Sequence, residues 1–518
     1  MKRIAQFHPA QWNEPLIMTM GKEGERGIQI PPSGEKISTA AGNALEQIPA
    51  SIRRKARPNL PEVSQPGVYR HYLRLSQMTM GQALTPDISQ GTCTMKYSPV
   101  INEKICSFPQ MTELHPAQDV STLQGILEIT YKVQEMLKEI SGMSAISLQP
   151  AGGSQAIYTN ACIFRAYHAS RGEAELRNEI ISTAYSHPAD CAAPHTAGFK
   201  VITLYPDEKT GYPSVESLKA AISEHTAGLM ITNPEDTGIY NPNIEEFVRI
   251  VHEAGGLCAY DQANANGILG VARARDAGFD ACHFNLHKTF SSPHGSVGPG
   301  CGATCVSAEL EPFLPMPVVK EEDGQYYLDY DRPLSIGKVR SDLGVLQVVL
   351  RAYAWIMSLG ADGLRKAAEL SVLNNNYLTK KMLEIPGVGL TYPESRARLE
   401  QTRYTFQKMF EDTGVTGDAV KRRIVDYGLQ TFHETHYPLI TPNACTFEPT
   451  ETYSKADMDY YVEVMREISY DAYNDAEKVK NAPERGLCSF LEDEEVGSNE
   501  KTRALTWAAY CRKHGPEI

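Results

Sequence analysis

The chain has 518 residues, with 50 Lys plus Arg against 63 Asp plus Glu and a formal net charge of −13, a balance that works against nucleic acid and anionic membrane as partners. Apolar residues at 42% and charged residues at 22% exclude a fibrous or disordered chain and leave enough apolar surface for more than one core. The 11 cysteines are scattered without a CxxC pair, so a disulfide framework and a thiolate metal site are not expected, and a reducing, cytoplasmic compartment fits.

The opening MKRIAQFHPAQW lacks the apolar run of a secretory signal. Residues 1–65 are rich in Pro and Gly and read as an extended arm suited to wrapping a body or a partner, with Trp12, Leu16, Ile17 and Ile28 as groups to bury. From Thr122 the pattern turns helical: Leu123, Ile126, Leu127, Val133, Met136, Leu137 and Ile140 share one face, and Gly142 supplies the stop. Short apolar runs then alternate with helical stretches. AISL (145–148), EIIST (179–183), FKVITLY (199–205), LMIT (229–232), LCAYD (257–261) and ACHFNL (281–286) read as strands, with helices over 154–169, from Ser214 and over 243–254. The order predicts an α/β domain over 66–335, a mostly parallel sheet with helices on both faces. From 336 to 518 a smaller α/β domain and tail are expected. Two helices (345–359 and 362–384) lead into YTFQKMF, TGDAVKRRIVDYG, ACTFEPTE and SKADMDYYVEVMREISYDAY, read as strand, helix, strand, helix. The most apolar helical stretch, Val345 to Leu359, is interrupted by Gln347 and Arg351 and is too short to span a bilayer.

The segment HFNLHKTFSSPHGSVGPG (283–300) places Lys288 directly after a strand, in a loop of Ser, Gly and Pro. A lysine at a strand end over a cleft can be desolvated and act on an aldehyde. Taken alone, an exposed loop lysine is the commoner case, so the other strand ends decide. Asp261 ends LCAYD and is suited to pair with a protonated pyridine nitrogen, the arrangement that makes pyridoxal 5′-phosphate an electron sink. His187 follows EIIST and offers a flat ring for stacking. PAGGSQA (150–156) joins a strand to a helix, so Gly152 and Gly153 permit close backbone approach while helix amides with Ser154 and Gln155 hold a phosphate. Phosphate loop, stacking His, Asp and Lys on successive strand ends is the order of fold-type-I pyridoxal phosphate enzymes, whose ligands lie at the carboxyl ends of the strands. No metal site is expected, because His283 and His287 stand on an extended segment where that spacing does not converge.

These motifs, together with GTCTMKYSP (91–99), TELHPAQD (112–119), GMSAISLQPAGGS (142–154), ITNPEDTGIY (231–240), AYDQANANGILG (259–270), YYLDYDRPLSIGKVRS (326–341) and FEPTET (447–452), resemble the glycine-cleavage P-protein, the decarboxylating glycine dehydrogenase, in its separate subunit 2. The resemblance runs along nearly the whole chain. It implies that Lys288 bears pyridoxal 5′-phosphate, His187 stacks on its ring and Asp261 meets its nitrogen. Ala263 would pack beneath the ring, Asn233 would bond the phenolic oxygen, Gly153, Ser154 and Gln155 would form the phosphate loop, and Thr92 and Thr94 would line the pocket. It further implies glycine as substrate, the lipoyl arm of the H-protein as acceptor of the aminomethyl group, and a homologous subunit 1 in an α2β2 hetero-oligomer. The chain departs from the family's pattern close to the pocket. Gly153-Ser154-Gln155 stands where Ala-His-Gly follows the loop, Pro188 to Ala192 where the family has Gly-(Ser/Thr)-Asn-Pro-Ala, YDQANANG for YDGAN, and TNPEDTG for TNPNTLG. The alternative these departures leave open is a paralogue, an aminotransferase or decarboxylase of another amino acid that uses no lipoyl carrier.

Overall fold

The computed structural model describes residues 4, 7–56, 58, 60–80, 85–89, 96–292, 300–341, 343–395, 398–432, 440–486 and 506–514. The chain divides into two units, Met1–Gln6 with Gln82–Ala482, and Phe7–Gly81 with Pro483–Ile518.

The larger unit is built on seven strands: β1 (Ala145–Ser147), β2 (Glu179–Thr183), β3 (Lys200–Leu204), β4 (Thr226–Thr232), β5 (Leu257–Gln262), β6 (Ala281–Asn285) and β7 (Gly302–Val306). Their order across the sheet is β1-β7-β6-β5-β4-β2-β3, and β7 alone runs against its neighbours. Every residue of β5, β6 and β7 is buried, which is why they read as unbroken runs without polar alternation. Successive residues of β4 face opposite cores. Leu229 and Ile231 pack with Val133, Phe247 and Val348, while Met230 packs with Phe164, Ile180 and Ala259.

The helices that matter for the site are α1 (Gln124–Ser141), α2 (Gly153–Ser170), α3 (Ala189–Thr196), α4 (Ile244–Glu253), α5 (Leu346–Met382) and α6 (Lys455–Asn474). Gly142 ends α1 at φ 72°, and its N–H closes on the Lys138 carbonyl at 2.8 Å, the left-handed stop the sequence implied. The two helices expected over 345–384 are one continuous run broken at Gly360 (φ 63°, ψ −177°). A hairpin not foreseen from the sequence, β8 (Val318–Glu322) and β9 (Gln325–Asp329), turns through Asp323 and Gly324 at φ 50° and 76°, the Asp-Gly pair such a tight turn favours.

A second, antiparallel sheet follows: β10 (Gly389–Leu390), β11 (Thr402–Thr405) and β12 (Ala444–Phe447). It packs Tyr404, Phe406 and Phe447 against Tyr461, Met465 and Ile468 of α6, which begins with a capping box between Ser454 and Asp457. The reading of YTFQKMF as a strand is corrected here. The strand stops at Thr405, and Gln407–Thr413 is helical, opened by the Gln407 amide on Thr405 Oγ1 at 3.1 Å and ended by Gly414 at φ 71°. The three-residue spacing of the buried Phe406 and Met409 is the helical signal within that stretch.

In the smaller unit, Ser64 caps the helix Gln65–Gln77. Glu14 takes hydrogen bonds from His71 Nδ1 (2.8 Å) and Arg74 (2.6 Å), and Trp12 donates to Gln77 at 3.1 Å. Ile28, Ile30, Ile37, Ile52 and Tyr69 are exposed there. Among the described residues no helix is long and apolar enough to cross a membrane.

The two sheets of the larger unit meet at Gly238. At φ 74° a Cβ would overlap the Gln401 carbonyl oxygen, and the Gly238 carbonyl accepts the Leu399 N–H at 3.0 Å. Gly238→Ala is expected to destabilise the protein by at least about 2 kcal/mol in urea unfolding. The control Gly172→Ala, at φ 78° but in open space, should cost only about 1 kcal/mol.

Candidate active site

Parallel strands bring their carboxyl ends to one edge of the sheet, and the singled-out residues gather there. The registers of β4, β5 and β6 set Thr232, Asp261 and His283 side by side. Three residues beyond β6 the chain turns, with the Lys288 amide on the Asn285 carbonyl at 3.0 Å. Beyond β2 a turn presents His187, whose N–H donates to Thr232 Oγ1 at 3.3 Å. His187, Asp261, Ala263 and Lys288 line one cavity, bounded on another side by Glu400 and Gln401 from the approach to β11. Lys288 is 6% exposed.

Asp261 is the ionised centre of this edge. Burial pushes its carboxyl up, but the neighbouring His283 and His187, the Ala263 amide and Lys288 together outweigh burial and hold it below the usual carboxylate range. Its Oδ1 accepts the Ala263 N–H at 2.8 Å and lies 3.2 Å from His283 Nε2. Four other buried carboxyls surround the cavity and are held in the protonated direction. Asp190, in the first turn of α3, is raised by burial and by the charge of Asp261. Glu235, bonded by Thr183 Oγ1, is pushed by burial to about 8. Burial, then the charge of Glu448, lifts Glu400 to about 8. Burial lifts Glu448 to about 7 against the opposing hydrogen bonds of Asn266 and Asn264, which reach its Oε1 at 2.6 and 2.8 Å.

The other residues singled out from sequence lie as follows. Gly153 opens α2 against the end of β6, where a Cβ would come within 2.7 Å of Asn285 Nδ2. Ser154 stands in the same first turn, and Gln155 links the Ala151 amide (2.6 Å) to the Val339 carbonyl (2.7 Å). Asn233 is buried with its carboxamide engaged by Asn241, accepting its N–H at 2.8 Å and donating to its carbonyl at 3.3 Å. It is Pro234, next in the chain, that lines the cavity. Thr92 and Thr94 lie outside the described residues. Sequence reasoning missed Glu400, Gln401 and Glu448 as site residues: they flank short strands of the second sheet, and nothing in RLEQTRY marks a residue that a distant chain segment will cover.

The raised carboxyls give the stability a definite pH sign. Between about pH 4.5, the ordinary glutamate value, and about pH 8 the unfolded chain ionises Glu400 while the folded chain does not. The folded state therefore loses stability as pH rises through that window, and the loss is complete above it. Glu400→Gln removes this component. Between about pH 5 and about pH 9 the variant is expected to lose at least about 1.4 kcal/mol less than the parent chain, measured by denaturant unfolding of the cofactor-free protein.

Comparison with known proteins agrees with this geometry. The family described as glycine dehydrogenase, C-terminal domain, matches residues 367–486. A protein of Pyrococcus abyssi named probable glycine dehydrogenase (decarboxylating) subunit 2 is 42% identical over 508 residues, covering 97% of this chain and 98% of its own. A protein of the same name from Caldanaerobacter subterraneus is 42% identical over 474 residues, covering 90% and 94%. Among solved structures, a glycine decarboxylase (P-protein) of the glycine cleavage system in inhibitor-bound form superposes with a TM-score of 0.72 at 19% identity, over 85% of this chain and 100% of that one. A mostly parallel sheet of seven strands, shared with fold-type-I enzymes, and identity of this extent over almost the whole length place the chain in the family of glycine dehydrogenase (decarboxylating) subunit 2.

Proposed function

We propose that this chain is the cofactor-bearing subunit of a glycine decarboxylase, holding pyridoxal 5′-phosphate at Lys288 and working beside a homologous subunit 1. One observation carries the reading: a buried amine (Lys288), a carboxylate kept ionised (Asp261), a flat imidazole (His187) and a methyl (Ala263) line the same cavity. The donor set fits the group. Asp261 is a buried carboxylate on the cavity wall, suited to a protonated ring nitrogen, and Gly153 leaves a cradle at the start of α2 that a Cβ would fill. When bound, pyridoxal 5′-phosphate supplies a protonated ring that accepts the electron pair released when the substrate's carboxylate departs as carbon dioxide.

The chain's own residues account for the rest. Lys288 would hold the aldehyde through its buried amine. Asp261, ionised, keeps the proton on the ring nitrogen. His187, tied to β4 through Thr232, and Ala263 would hold the ring between them. The first turn of α2 offers amides and Ser154 to a phosphate. Glu400 and Gln401 close the cavity from the second sheet and exclude water, which strengthens every charge interaction inside. Transfer of the aminomethyl group to a lipoyl arm of the H-protein and assembly as α2β2 complete the reading; the subunit-2 name of the relatives supports a partner subunit 1.

Two experiments test it. Borohydride reduction of the cofactor-loaded protein should fix the label at Lys288, read by peptide mass spectrometry, and Asp261→Ala should lower carbon dioxide exchange from labelled glycine by at least about 100-fold, about 2.7 kcal/mol. A Lys288→Ala protein that still fixes the label at a lysine of this cavity sinks the assignment. Light scattering after size-exclusion chromatography should find a complex only when subunit 1 is added, and exchange should rise with lipoylated carrier. A homo-oligomer fully active without either would overturn the partner assignment.

A further inference from the structure

The departure of this chain at Pro188 to Ala192 puts a carboxyl, Asp190, beside the carboxylate on which the site depends. Asp190 is 1% exposed, and its backbone N–H bonds the His187 carbonyl at 2.8 Å. Its Oδ2 accepts the hydroxyl of Thr232 at 2.9 Å, the same hydroxyl oxygen that receives the His187 N–H at 3.3 Å. Its other hydrogen bond runs to the side chain of Asp261, which stands next to Thr232 in the strand register. Two carboxyl groups can share a hydrogen bond only if one of them carries a proton.

The groups that face the pair decide which one does. Asp261 is met by His283 from β6, by His187 and by Lys288, all of which favour its charge. Asp190 is met by Asp261 from β5, whose charge opposes its own, and by Glu235 from the loop after β4, itself held in the protonated direction, with the neutral Thr232 as its other partner. Thr232 gives its hydroxyl proton to Asp190 and has none left for Asp261; the charge-favouring neighbours all stand on the Asp261 side, so the shared proton rests on Asp190.

We propose that Asp190 is a positioning residue that keeps a proton and donates it in a hydrogen bond to Asp261, so that Asp261 remains the carboxylate facing the cavity. The same residue anchors Thr232 and, through it, the backbone of His187, which couples the orientation of the two groups assigned to the ring. Were Asp190 ionised, repulsion across the pair would drive the proton onto Asp261, which could then no longer accept from a protonated ring nitrogen. An asparagine amide at this position supplies the same donor at every pH. The inference rests on the reading of Asp261 given above and adds the residue that sets its protonation.

The test uses the full chain with Asp190→Asn and Asp190→Ala. In the cofactor-free protein at neutral pH, the infrared difference spectrum between the parent chain and Asp190→Asn should contain the carbonyl stretch of a protonated carboxyl. Carboxylate bands alone would overturn the proposal, whatever the fate of the cofactor. Fluorescence titration with pyridoxal 5′-phosphate should then give a Kd within about 3-fold of the parent for Asp190→Asn and at least about 10-fold weaker for Asp190→Ala, about 1.4 kcal/mol. Equal weakening in both variants, or none in Asp190→Ala, would overturn it. If Asp190→Ala does not fold, the infrared comparison of the parent with Asp190→Asn decides. If even the parent chain fails to bind the cofactor, the functional reading falls while the infrared result still stands or falls by itself.

Discussion

One buried negative charge organises the site. Asp261, 5% exposed, would be protonated by burial alone; it remains ionised because two imidazoles, a backbone amide and an ammonium converge on it. That convergence needs three adjacent strands. His283 arrives from β6 in register, Thr232 from β4, and the Ala263 amide from the first residues after β5. A parallel sheet supplies this without further contrivance, since all its strand ends open to one edge and the loops that leave them share one small volume. The sheet is buried on both faces, so the charge sits in a low dielectric where each partner counts for more than it would at the surface.

The remaining acids of the cavity obey the same electrostatics with the opposite result. For Glu235, Glu400 and Glu448 burial outweighs the neighbours that oppose it, Arg403 beside Glu235 and Lys288 and Lys96 beside Glu448 included. The site thus separates its carboxyls into one that holds charge and several that hold protons, a separation by environment and not by residue type. Asp236 belongs to neither group: Arg403 pairs with it, and Thr446 donates to its Oδ1 at 2.8 Å. With Gln401 Nε2 on the Glu235 carbonyl at 3.1 Å, these contacts clamp the loop after β4 to the second sheet. The cavity wall is therefore shared between two sheets far apart in the chain, and they meet at Gly238, where a Cβ would overlap the Gln401 carbonyl oxygen.

Motifs that look unrelated in the sequence converge behind the lysine. Lys96, from the early KYSP stretch, pairs with Glu451 of FEPTET at 2.8 Å and lies over the Trp355 ring of α5. Ser371 of the same helix donates to the other Glu451 oxygen at 3.2 Å. Ser291, after Lys288, bonds the Tyr97 carbonyl. The segment that carries Lys288 is thus braced from behind by the N-terminal part of the larger unit, by α5 and by the loop after β12. Buried charge pairs of this kind contribute little net stability, but removing one partner leaves an uncompensated charge, so the set is kept or lost together.

What the sequence by itself determined is everything with a local cause. Apolar runs bounded by turn residues placed all seven strands of the large sheet but β7; periodicity and Gly142 placed α1; Ser214 and Ser454 marked helix starts that the structure uses as caps. The gathering of His187, Asp261 and Lys288 was legible because each stands within a few residues of a strand end, and parallel strands send their ends to one edge. Only the tertiary structure decided what depends on distance in the chain. Cys162 is partly exposed while Cys258 and Cys282 are fully buried; Asn233 is engaged with Asn241 and leaves the wall to Pro234; Glu400 and Gln401 reach the cavity from the approach to a second sheet. The protonation of Asp190 belongs to the same class. A carboxyl's charge is set by the sum of burial and every neighbouring charge, and those neighbours come from separate strands that only folding brings within a few ångströms.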